Sequence, residues 1–273
     1  MRMQSSSEKN LLPVPKEAVT GEIWFSDIQD GPPLEEKQGL NLLDAAVLAL
    51  KEDRVIMNNF PDSFKNDNSA RMVFLSVSDG KSMAHIAMGT GVGVKQATEQ
   101  AISRIKTLAP MTQDRLWIKL DIVYRVSRDL KVSLDEPVYF KAGLEGIAFG
   151  RPKRAAFLPE QLTANSWIDA DGRAGNRLIR KVLANGSSEN VFLFQTTEFF
   201  NSGQKSYALF RGHRQIENFE PETLLRAARM AGDYLTLSMG ERGRFVYKFR
   251  PDTGRASSSY NIVRHAGTIY SMI

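Results

Sequence analysis

The chain has 273 residues, with 36 Lys and Arg against 31 Asp and Glu, 42% hydrophobic and 25% charged. That balance can fill a normal core, so disorder is not the default expectation, while the length predicts two compact units rather than one. Zero cysteines exclude disulfides, thiol catalysis and cysteine metal sites, and a formal net charge of +5 leaves an acidic partner open without requiring one.

Residues 1–20 are polar, with Pro13 and Pro15 holding an extended path, and predict a flexible tail. This N-terminus has no apolar stretch of signal-peptide length, and nowhere do about 18 apolar residues run together, so we expect no membrane segment and a cytoplasmic location. Leu40, Leu43, Val47 and Leu50 recur at helical spacing and predict a helix over 39–50 that caps a sheet. Residues 71–89 read as two strands joined by a two-residue turn at Asp79-Gly80, where both positions tolerate positive φ. Val94, Ala97, Ala101, Ile105 and Leu108 predict a second amphipathic helix, and 115–126 alternates as a strand. A hairpin is expected over 143–160, turning at 150–153, then a segment over 163–183 that is helical in its second half. Residues 191–200 and 205–216 predict a strand pair across 201–204. The expected class over 21–219 is α+β, a mixed or antiparallel sheet with flanking helices.

A helical hairpin is expected over 220–273. Pro221 suits the first helical position, and Glu220 and Glu222 complement the helix dipole. Leu224, Ala228, Ala231 and Leu235 predict its buried face. Ser257 to Ser259 cap a last helix that puts Ile262, Ala266, Ile269 and Ile273 on one side. No Gly, Asn, Pro or basic residue closes that helix. We therefore expect a truncated element, whose apolar face is covered by further helices of a longer parent or by self-association.

Residues 40–200 resemble the AMMECR family of α+β proteins through LLDAAVLAL, MVFLSVSDGKSMAHIAMGTG, GLEGIAFGRPKRAAFLPE and VFLFQTTEFF, in that order. The family's Arg-Gly-Cys-Ile-Gly-Thr stands here as His85, Ile86, Ala87, Met88, Gly89 and Thr90. Residues 220–273 resemble the opening hairpin of an α/α six-hairpin toroid, as in uncharacterised bacterial proteins of that architecture, through GRFVYKFRPDTG and SSSYNIVRHAGTIYSM. The toroid resemblance implies an incomplete ring, inactive as it stands.

Among candidate sites, Tyr260, Asn261, Arg264 and His265 share one helical face, where Arg264 could clamp an anion and His265 exchange a proton. In a complete parent, that rim is expected to handle a carbohydrate or another small polar ligand. The competing reading is that these side chains tie the helix to its neighbours. A nucleic-acid alternative rests on Arg244, Tyr247, Lys248 and Arg250, with GRPKR (150–154) and RGHR (211–214) adding basic charge. Any half-buried strand alternates in the same way. GTGVG (89–93) departs from both common phosphate-loop spacings and reads as a tight strand-to-helix turn, so no nucleotide cofactor is expected. WIDADGR (167–173) reads as a turn, and three histidines at His85, His213 and His265 with no HExxH predict no metal.

Overall fold

The computed structural model describes residues 23–51, 67–79, 84–108, 116–127, 138–150, 154–169, 171–184, 191–214, 220–240, 243–245, 249–250, 255–256, 261–263, 266–267 and 270. The chain divides into two units, Met1–Gln215 and Ile216–Ile273.

The first unit is α+β. Among the described residues its strands are β1 (Ala70–Ser78), β2 (His85–Val92), β3 (Trp117–Ser127), β4 (Glu145–Phe149), β5 (Ala155–Phe157), β6 (Val191–Asn201), β7 (Ser206–Phe210) and β8 (His213–Arg214). All pair antiparallel in one sheet of order β2-β1-β3-β6-β4-β5, with β7 and β8 continuing from β6. One edge of β6 serves two hairpins: residues 191–195 pair with β4, and 198–201 pair with β7.

Helices α1 (Glu36–Lys51) and α2 (Gly93–Leu108) cover one face, where Leu42, Leu43, Ala97 and Ile105 meet Val73, Leu75, Leu120 and Phe199. On the other face Trp24, Phe25 and Ile28 pack against Phe74, Val123, Phe192 and Phe194, with Phe25 and Phe194 ring centroids 4.8 Å apart. No periodicity marked this N-terminal segment as core. A third cluster joins Ile147, Phe149, Phe157 and Val191 to α3 (Pro159–Ala164) and α4 (Asn176–Ala184) through Leu162 and Leu178. Because strand β3 is covered on both faces, its centre is buried continuously instead of alternating.

Two sequence expectations need correction here. The β1–β2 pair closes with Val77 opposite His85, not through a two-residue turn at Asp79-Gly80. The reason is parity. This register turns Gly89 and Gly91 toward α2, and a Cβ on Gly89 would lie 2.0 Å from the Ala97 carbonyl oxygen and 2.5 Å from the Ala101 nitrogen. The two-residue turn would pair odd residues with even ones and put Met88 under the helix instead. Secondly, 205–216 is not one strand: Arg211-Gly212 breaks it, both at positive φ (53° and 76°), as a type I′ turn requires.

In the second unit, α5 (Pro221–Leu237) starts at its proline as expected. No residue of α5 is buried, so Leu224, Ala228 and Ala231, expected inside, are exposed. Met239 bridges Phe245, and β9 (Phe249–Arg250) pairs antiparallel with β10 (Arg255–Ala256). Residues 262–263, 266–267 and 270 are helical, whereas Ile269 and Ile273 lie outside the described residues. No described helix is long and apolar enough to cross a membrane.

Candidate acid-rich site on the sheet face

Along β3, Ile118, Leu120 and Ile122 face the helices, so Lys119 and Asp121 point to the opposite side. Register sets Lys119 between Ser76 of β1 and Phe200 of β6, and Asp121 between Phe74 and Glu198. Four charged side chains converge there. Lys119 Nζ lies 2.6 Å from Asp121 Oδ1, 3.0 Å from Glu160 Oε1 and 3.4 Å from Glu198 Oε2. Glu160 is supplied by the first turn of α3, which Pro159 opens. Glu198 also accepts the Gly212 amide at 2.9 Å, so the β7–β8 turn is tied to the cluster.

Exposure separates inner from outer members. The Asp121 side chain is 0% exposed and Glu198 4%, against 15% for Lys119 and 42% for Glu160. Burial pushes the Asp121 carboxyl up to about 8; Lys119 pulls the other way, and the neighbouring Glu160 and Glu198 charges add to the rise. Burial likewise raises Glu198. For Lys119, burial would favour the neutral amine, but attraction to Asp121, Glu160 and Glu198 outweighs it and holds the ammonium more firmly than usual. Three carboxylates facing one ammonium would leave two uncompensated negative charges, and a proton kept on Asp121 removes one. Asp121 Oδ2, Glu160 Oε2 and Ser76 Oγ are buried without a hydrogen-bond partner among the described residues. Beyond the cluster on the same face, Trp117 is 48% exposed and meets Phe200 edge-on at 6.0 Å, and Phe200 stands opposite Tyr207.

The residues expected from sequence are distributed otherwise. Tyr260, Arg264 and His265 lie outside the described residues, and Asn261 is half-buried in the second unit. Tyr247 and Lys248 lie outside them too; Arg244 is exposed before the Met239–Phe245 bridge, and Arg250 sits in β9. Of GRPKR, residues 151–153 lie outside the described residues and the Arg154 guanidinium lies 4.9 Å from the Trp24 ring, while Arg211, His213 and Arg214 are exposed. In GTGVG the Thr90 and Val92 amides donate to the side chains of Gln100 and Gln96, each at 2.7 Å, which occupies groups a phosphate would need. In WIDADGR, Asp169 Oδ1 accepts the Asp171 and Arg173 amides at 3.0 and 2.9 Å, a side-chain-closed turn. No described group of three or more His, Cys, Asp or Glu is arranged to hold a metal.

Sequence reasoning missed Lys119, Asp121, Glu160 and Glu198. The first two left only a faint signal: in RLWIKLDIVYRV the charges alternate with apolar residues, but Trp117 and Val123 share their parity, so the face that carries them is not wholly polar. Glu198 sits likewise in VFLFQTTEFF.

No protein-family model matches the chain. No curated protein matches it. Among solved structures it is similar to an uncharacterised protein, PH0010 from Pyrococcus horikoshii, at 13% identity and a TM-score of 0.44, covering 64% of this chain and 98% of that one.

Proposed function

We propose that the first unit binds a small polar ligand at the outer edge of the Lys119 cluster, a carbohydrate being the chemistry that fits best. One observation carries this reading: a partly exposed ammonium ringed by three carboxylates, two of whose oxygens lack partners among the described residues, beside a half-exposed tryptophan. Convergent polar groups with perturbed protonation beside an aromatic surface are the usual make-up of a ligand site. Lys119 donates to a ligand hydroxyl, Glu160 accepts from one, and Trp117 takes the apolar C–H face. Asp121 and Glu198, enclosed behind, set the charge of the reachable pair. The reading moves ligand handling from the 260–265 rim to the sheet. The AMMECR-like assignment of 40–200 remains part of the proposal and rests on motif order alone.

Titrating the full chain with neutral sugars and uronates, while following tryptophan emission, tests it. At least one sugar is expected to give a saturable change that W117F abolishes. E160Q is expected to weaken binding roughly 10- to 100-fold, the loss of one hydrogen bond to a charged group, with unfolding midpoints held. A panel without response, or a response that survives both substitutions, overturns the reading.

A further inference from the structure

The β7–β8 hairpin carries groups that the ligand site does not use. Lys205, Arg211, His213 and Arg214 are exposed, and among the described residues none of them pairs with a carboxylate. Their cations are instead laid on rings. The Arg214 guanidinium is 4.4 Å from the Tyr207 centroid, Lys205 Nζ is 5.6 Å from the same ring, and the Arg211 guanidinium is 5.3 Å from Phe210, which is itself 50% exposed. Ring contacts of this kind hold long side chains in place but leave their charge uncancelled. The turn between them is also fixed in advance, because Gly212 donates to the buried Glu198 at 2.9 Å. Two carboxylates meet the hairpin: Asp44, which accepts the Ser206 hydroxyl at 2.6 Å beside Lys205, and the enclosed Glu198 under the turn. Cations gathered at the pre-shaped tip beyond them fit a polyanion, and an exposed ring beside a guanidinium plane fits an unpaired base. A duplex hides its base faces, and an acidic peptide offers carboxylates and peptide planes but no charged backbone that presents a heteroaromatic ring at every step.

We propose that this hairpin binds single-stranded nucleic acid, with phosphates along Lys205, Arg211 and Arg214 and one base stacked on Phe210 and Arg211. The proposal goes beyond the small-ligand reading and stands independently of it.

Anisotropy titrations of the full chain with labelled oligo-dT and oligo-rU, from about 50 to 200 mM salt, decide the matter. Binding that weakens steeply with salt is expected. R211A/R214A should flatten the log–log salt slope by about 1.4, at about 0.7 per single-strand phosphate, whereas R211K/R214K keeps the slope. F210A should weaken binding roughly 5- to 100-fold at unchanged slope, the range for one lost base stack. The unfolding midpoint of each variant shows whether the hairpin is intact, and F210L, which keeps apolar bulk without a ring, should bind as weakly as F210A. No binding at low salt, a neutral F210A and F210L, or equal affinity for duplex DNA would each overturn the proposal. Equal competition by a sulfated polysaccharide or an acidic protein would do so too, since it marks a surface indifferent to bases.

Discussion

Lys119 Nζ neutralises carboxylates that no other described cation reaches, and its removal should be costly in proportion. K119M is expected to destabilise the chain by about 3–5 kcal/mol near pH 7, as breaking a buried pair leaves uncompensated charge. The loss should shrink near pH 4, where the carboxyls take up protons. Urea unfolding at both pH values measures it; a K119M chain as stable as wild type at pH 7 would show the ammonium dispensable. Asp121 runs against the habit of carboxylates. Its folded value is pushed up to about 8, above an unfolded value of about 3.9, so its contribution is fully present below about pH 4 and is lost as pH rises through 8. D121N should therefore gain stability relative to wild type between about pH 4 and 8, whereas a pH-independent difference would argue that Asp121 holds no proton. Lys119, Asp121 and Glu198 could be noticed in sequence as charges inside apolar strands. Glu160 could not, because only the packing of α3 brings it within 3.0 Å of Lys119.

The contact between β2 and α2 is as tight as backbone allows. Gly89→Ala sets a methyl against the Ala97 carbonyl and the Ala101 amide, neither of them the end of a flexible side chain. We expect a loss of about 1–3 kcal/mol from overpacking, read as a lowered Tm; an unchanged midpoint would mean that the helix stands farther off. The same contact decides where the turn falls. Asp79-Gly80 has ideal local chemistry for a two-residue turn, but helix packing at Gly89 fixes the strand's parity and overrides it. At Arg211-Gly212 the reverse holds: alternation through KSYALFRGHRQI conceals a positive-φ pair. For α5 the start signals were sound, yet periodicity says which residues share a side and not whether anything covers it.

Among the described residues, the three hydrophobic clusters draw their buried members from residues 24–199, within the first unit. A chain of residues 1–215 is therefore expected to unfold as one cooperative transition, with a Tm within about 4 °C of the same transition in the full chain, the upper end of what 1 kcal/mol shifts in a domain of this size. Calorimetry on both settles it, and a broad non-cooperative melt would mean the core borrows from residues beyond 215. Within this unit β6 has a particular consequence for descent. Its first half completes β4 and its second half completes β7 along a single edge, with Phe194, Glu198 and Phe200 all on the side opposite the helices. A codon gained or lost between 195 and 198 would swing Glu198 and Phe200 beneath α1 and erase the acid cluster, the aromatic row and the anchored hairpin at one stroke. A residue added at the 202–205 bend, by contrast, would leave the parity of this strand untouched.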